Sequence, residues 1–209
     1  MPFLRAVEGK MWKESLAIFG GVCLTKFVYD YIFAKKAIPS KIVKEVLFFP
    51  DKGIACPNVS CEDKNCRYSH ESTCLRALVN HLKSAKKSLD VCVCVFSCHE
   101  LAETLVYVSK GGVPVRVLSD KSIGDVVNSR IPDLRAKGIP VRIHNTPYLM
   151  HHKFAIVDNE LLLCGSFNWT RQAVTGNNES VIVTNDKDFV ERFCNEFSRL
   201  WELNSPQNL

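Results

Sequence analysis

The N-terminal apolar stretch has no small-x-small cleavage site behind it and runs straight into "YIFAKK", so a cleavable secretory signal is not expected. A reducing compartment follows. That sets the ten cysteines to burial or metal binding rather than to disulfides. Internal repeats and low-complexity tracts are also missing, which excludes a solenoid array. Charge of one sign is scarce: 27 Lys and Arg against 22 Asp and Glu leave +5, enough to tolerate a polyanionic partner but not to demand one. The length of 209 residues falls short of two full domains and suits one domain with an appendage. With 46% hydrophobic and 23% charged residues, the chain as a whole is expected to fold.

What is present begins with residues 15–33, "SLAIFGGVCLTKFVYDYIF", an apolar window of membrane-spanning length. Lys26 and Asp30 interrupt it at i,i+4, and Lys35 and Lys36 flank it. A transmembrane anchor is expected there; the competing reading is an amphipathic helix docked on the domain, because two charges near mid-span are costly. The chain then divides into an N-terminal flank (1–14), the anchor (15–33), a polar connector (34–45), a catalytic domain (46–203) and a tail (204–209).

From residue 71 onward helical and strand patterns alternate. Amphipathic helices are predicted over 71–88, 99–111, near 123–137 and over 187–203. Strands are predicted at "LDVCVCVFS", "VPVRVLSD", "PVRIHN", "HHKFAIVD", "LLLCGS" and "SVIVTN", with a turn at "DNE" between the fourth and fifth. This order predicts an α/β fold with helices on both faces of a sheet.

"CPNVSCEDKNCRYSH" places Cys56, Cys61, Cys66 and His70 at C-x4-C-x4-C-x3-H spacing. Three thiolates and one imidazole make a full tetrahedral set for a structural zinc, with no position left open for catalysis. Aromatics for base stacking are sparse in this insert, so bracing is expected of it rather than RNA binding.

The stretch "YLMHHKFAIVDNELLLCGSFNWT" concentrates the chemistry. Residues two apart on a strand share a face, so His151 and Lys153 project together while His152 points the other way with Phe154 and Ile156. Ser166 and Asn168, two apart beyond Gly165, also share a direction. Imidazole, ammonium, hydroxyl and carboxamide on one surface suit a phosphate: Lys153 supplies charge, Ser166 and Asn168 supply donors, and an imidazole can attack phosphorus. His81, His99, His144 and His152 read as structural.

These residues carry a resemblance. His151, Lys153 and Asp158 satisfy H-x-K-x4-D, and Gly165, Ser166 and Asn168 satisfy G-S-x-N. Together with Glu179, the pattern resembles the phospholipase D superfamily and its HKD motif. The resemblance implies an α/β/α sandwich with a mixed central sheet and a two-step phosphodiester exchange that needs no catalytic metal. In it, His151 forms a phosphohistidine, Lys153, Asn168 and Ser166 hold the phosphate, and Glu179 orients the imidazole. Asp158, of opposite parity, reads as a structural partner within the motif. A second HKD histidine must protonate the leaving group. The other H-x-K, at His81 and Lys83, has Ser88 where the aspartate belongs, so a homodimer is expected to supply the second copy.

The single motif, the anchor-like segment and the Cys/His insert together resemble the mitochondrial branch of that superfamily. That resemblance implies a single-pass N-terminal anchor in the mitochondrial outer membrane, with the catalytic domain in the cytosol. It also implies endonucleolytic cutting of single-stranded RNA precursors of piRNAs; the alternative is hydrolysis of cardiolipin to phosphatidic acid. Arg116, Lys121, Arg130, Lys137 and Arg142 are candidates to follow an RNA backbone, Arg116 and Lys121 foremost. For a lipid, the nearest apolar run beside the motif is "PYLM". On this weighing RNA leads, and a non-catalytic scaffold is the third reading.

Overall fold

In a computed structural model, residues 42–51, 65, 73–121 and 128–206 are described. The expected anchor at 15–33 and the zinc ligands Cys56, Cys61, Cys66 and His70 lie outside the described residues. Among the described residues, no helix is long and apolar enough to cross a membrane.

Seven strands form one mixed sheet in the order β1-β7-β6-β5-β2-β3-β4. They are β1 (Lys44–Phe49), β2 (Leu89–Val93), β3 (Val115–Asp120), β4 (Val141–His144), β5 (Lys153–Val157), β6 (Leu161–Gly165) and β7 (Glu179–Thr184). β2, β3 and β4 are parallel neighbours, and the remaining pairs are antiparallel. The helices are α1 (Cys74–Lys83), α2 (His99–Lys110), α3 (Ile131–Ala136), α4 (Arg171–Thr175) and α5 (Lys187–Leu203).

Strand parity sorts the core into two layers. Val91, Val93, Ala155, Val157, Leu163, Val181 and Val183 face α1 to α4 through residues such as Leu78, Leu82, Leu101, Leu105 and Leu134. On the other face Cys92, Leu118, Phe154, Ile156 and Leu162 meet Val190, Phe197, Leu200 and Trp201 of α5. The expected sandwich is the one observed. β2 is buried on both faces, with Asp90 as its one charged residue.

Local chemistry fixes the element ends. Thr73 caps α1 by accepting from Arg76 N at 3.1 Å. The Asp51 carboxylate accepts from Cys74 N (2.7 Å) and Leu75 N (3.0 Å), so it ties the end of β1 to the first turn of α1. The "DNE" turn between β5 and β6 holds Asp158 and Asn159 at φ 58° and 55°. Two consecutive left-handed residues make the hairpin turn that follows strand twist, and Asp and Asn tolerate it.

Several boundaries depart from expectation. The connector was expected to reach residue 45, yet β1 begins at Lys44. Its outward residues Val46 and Phe48 are as apolar as its inward residues Leu47 and Phe49, which erases the period-2 signal. The strand expected over 89–97 ends at Val93, after which Phe96 bridges to Trp169. The helix expected near 123–137 is described only as the short α3; residues 122–127 lie outside the described set. α4 was not anticipated.

Candidate active site

Four strand ends meet at one edge of the sheet: the C-terminal ends of β2 and β6 and the N-terminal ends of β5 and β7. Register fixes this, with Val93 opposite Lys153, Phe154 opposite Cys164 and Gly165 opposite Val181. Lys153, Ser166, Asn168 and Glu179 are thus brought to one edge, with His151 two residues before β5. His151 is exposed there. Lys153 Nζ donates to the His151 carbonyl at 2.8 Å, which holds the lysine over the segment that carries the imidazole.

The glycine of G-S-x-N has a steric cause. A Cβ at Gly165 would lie 2.0 Å from the Ser180 carbonyl oxygen, so only glycine lets β6 run this close to β7. The close approach sets up the next contacts. Ser166 N donates to Ser180 O (3.1 Å), Ser180 N donates to Ser166 Oγ (3.1 Å), and Ser166 Oγ donates to Glu179 Oε2 (2.5 Å). The other carboxylate oxygen, Oε1, accepts from Asn177 Nδ2 at 3.0 Å, and Gln172 Nε2 donates to Asn177 Oδ1 at 3.3 Å. Ser166, expected on the phosphate, is committed to Glu179, which is held from both sides. Asn177 was missed by the sequence reading; its signal was the polar "GNNE" run leading into β7.

Lys153 is half-buried, and burial pulls its ammonium below the ordinary lysine range; the nearby Cys94 and Glu179 oppose this only in part. Cys94 is itself buried against the site. Its thiol is pushed up by burial, with Lys153 pulling the other way. Asn168 Oδ1 is buried with no hydrogen-bond partner among the described residues. Leaving such a group unpaired costs about 1–3 kcal/mol.

Two motif residues face elsewhere. His152 packs edge-on against Phe154 (5.5 Å between centroids) and lies 3.4 Å from Glu196, on the α5 face, as strand parity predicts. Asp158, grouped by the motif with the catalytic set, stands five residues beyond Lys153 along β5, about 17 Å away at strand rise. Its carboxylate accepts from Lys86 N (2.9 Å), Lys87 N (2.6 Å) and Ser88 N (3.0 Å), bracing the α1–β2 turn. These bonds hold its carboxylate at the α1–β2 turn, away from Lys153.

The basic track also changes. Arg116 was expected to contact substrate. Instead it pairs with buried Asp90 through two 2.7 Å hydrogen bonds and stacks over Phe197 and Trp201 under α5. Arg142 lies 4.2 Å over the Trp201 ring and donates to the Trp201 carbonyl. Lys137 precedes β4, at the opposite edge of the sheet. Only Lys121 and Arg130 remain on the site side. Exposed Lys121 follows the last residue of β3, and Arg130 N donates to Phe96 O at 2.9 Å. His81, paired with Glu45 at 2.7 Å, and His144, held by Thr146 and Asn204, have structural partners.

Beside His151 a groove of about 540 Å³ opens between the 146–150 loop and the C-terminal half of α5. Its walls include Tyr148, Leu149, Met150, Leu200 and Leu203. The Asp120 carboxylate accepts from Met150 N (2.8 Å), which ties this loop to the end of β3.

Known proteins resemble this chain over most of its length. Residues 78–201 match the family described as "Cardiolipin synthase, PLD-like domain". A protein of Chlamydomonas reinhardtii named mitochondrial cardiolipin hydrolase is 42% identical over 165 residues, covering 77% of this chain and 74% of its own length. Proteins of the same name from Danio rerio (39% over 173 residues; 80% and 76%) and Homo sapiens (34% over 210 residues; 93% and 82%) are also similar. Among solved structures, the phospholipase D family member Nuc from Salmonella typhimurium superimposes with a TM-score of 0.64 at 24% identity. That match covers 78% of this chain and 95% of Nuc.

Proposed function

The chain belongs to the phospholipase D superfamily, and from that premise we propose that it hydrolyses phosphodiesters through a phosphohistidine at His151. The observation that carries this reading is the convergence of Lys153, Asn168 and the Ser166-bound Glu179 on the sheet edge beside exposed His151. A ring nitrogen of His151 attacks phosphorus, the bond to the leaving oxygen breaks, and that oxygen takes a proton from His151 of a second copy. Water then gives a proton to that second imidazole and attacks phosphorus. The P–N bond breaks and both histidines return to their starting state. Lys153 and Asn168 hold the phosphate oxygens, and Glu179, fixed by Ser166 and Asn177, orients the imidazole. The site is completed by an isologous homodimer.

For the substrate, the geometry favours a phospholipid of the cardiolipin type, hydrolysed to phosphatidic acid. The 540 Å³ groove beside His151 has the size and apolar lining of a ligand pocket, and "PYLM" forms one wall of it. The partners of Arg116 and Arg142, and the place of Lys137 before β4, weigh against an RNA track along these residues. Single-stranded RNA is the second reading, with the cutting of piRNA precursors as its cellular role. It draws on exposed Lys121 and on the 83% exposed Tyr148 ring, which offers a base a stacking surface. Anchoring of residues 15–33 in the mitochondrial outer membrane, with the domain in the cytosol, and a structural zinc on Cys56, Cys61, Cys66 and His70 complete the proposal.

The test is turnover in EDTA by the full chain, with His151→Asn as control, on cardiolipin vesicles and separately on single-stranded RNA. Release of phosphatidic acid by the wild type alone supports the lipid reading. RNA cutting without lipid turnover would reverse it, and inactivity on both would leave a scaffold.

A further inference from the structure

The outer face of the β1–β7 edge is an apolar strip that no described element covers. Val46 lies directly opposite Ile182, and Phe48 follows one pair along; their exposures are 49%, 48% and 70%. Ile42, of the same parity, is 69% exposed, and Phe189 in the first turn of α5 is 57% exposed. This is the face on which α5 packs, but α5 covers β5 and β6 and leaves the β7–β1 side bare. Isolated exposed apolar residues are ordinary, whereas a contiguous set on one face marks a contact surface.

We propose that this strip is a membrane-contact surface that lies against an anionic bilayer, with Val46, Phe48 and Ile182 entering the headgroup–acyl boundary. Size argues against a second copy as the occupant. A strip two strands wide falls well below the roughly 800 Å² per partner that a stable protein interface buries. Charge argues for lipid. Lys44 stands in the same row as Val46 and Phe48, and Lys187 follows Thr184 by three residues. Asp188 in the same turn is paired with Arg192 and does not neutralise the row. Cations rimming an apolar face are what an anionic lipid surface attracts. Connectivity agrees: the apolar run 15–33 ends nine residues before Ile42, a tether of at most about 30 Å. The inference holds for either substrate, because it concerns orientation at the surface and not the reaction.

The test uses the full chain in vesicles of phosphatidylcholine and phosphatidylglycerol, with and without brominated acyl chains. Phe48→Trp is the probe. Tyr107→Trp, an exposed position on α2 across the sheet, is the control. After subtraction of wild-type fluorescence from the native tryptophans, the added emission at 48 is expected to be lost in brominated vesicles and that at 107 retained. Emission at 48 that survives as well as that at 107 would overturn the proposal. If it survives with a blue shift, a second copy of the chain covers the strip instead. Matching melting curves for both variants and the wild type establish that the probes report on the folded chain.

Discussion

Replacing Asp158 by asparagine separates two roles that the H-x-K-x4-D spacing leaves joined. Asparagine tolerates the left-handed φ of 58°, so the turn survives while the charge is lost. Three backbone N–H groups, of Lys86, Lys87 and Ser88, lose a carboxylate acceptor. Hydrogen bonds to charged groups contribute about 1.5–3 kcal/mol each where water is excluded, but this turn is partly exposed and water replaces much of the loss. The total discounts to about 2–3 kcal/mol. For a domain of this size that lowers Tm by roughly 5–10 °C. Partial burial opposes ionisation of Asp158, but the N–H groups of Ser88, Lys87 and Lys86 and the charge of Lys87 outweigh it and hold the carboxyl below its ordinary value. A depressed folded value stabilises the protein above the ordinary carboxylate pKa, and that stability is lost as pH falls through the folded value. The Tm gap between wild type and variant should therefore close in acid. Circular dichroism melts across pH check this, alongside turnover of a water-soluble phosphodiester well below Tm. Turnover reduced by more than about a hundredfold in a variant with wild-type Tm would refute the structural assignment.

Three further outcomes follow from the site. Ser166→Ala removes a hydrogen bond to a charged carboxylate, about 1.5–3 kcal/mol, and should lower kcat by about 10–150-fold with little change in KM; near-normal kcat would show that Glu179 needs no such support. Gly165→Ala forces a Cβ against the Ser180 carbonyl and should cost about 2–4 kcal/mol in denaturant unfolding; an unchanged midpoint would contradict the close approach of β6 to β7. Because burial lowers the Lys153 pKa, the alkaline limb of kcat/KM should fall below the ordinary lysine value of about 10.4; Lys153→Arg should move that limb upward, and an unmoved limb would remove Lys153 from the profile.

The face assignments were legible because strand parity needs only the sequence. His152 packs against Phe154 on the α5 face, as the two-residue period requires. Asp158 was legible as the odd member for the same reason. Contacts between segments far apart in sequence were not legible. Nothing local tells Arg116 that Asp90 lies beside it on the neighbouring strand, or Arg142 that Trp201 will cover it, so a row of basic residues read as a groove. The apolar groove stayed hidden because its walls come from the 146–150 loop and the end of α5, some fifty residues apart. β1 escaped because both of its faces are apolar, the property that marks its outer face as a contact surface.

The central claim is that His151 carries the phosphoryl group. Rapid acid-free quenching of the full chain with a phosphodiester substrate, followed by mass analysis of peptides under alkaline conditions, tests it directly. A transient phosphoryl adduct is expected on His151, of the mass set by the retained half of the substrate and absent from His151→Asn. Steady turnover with no adduct on that residue, or an adduct on His152, would contradict it.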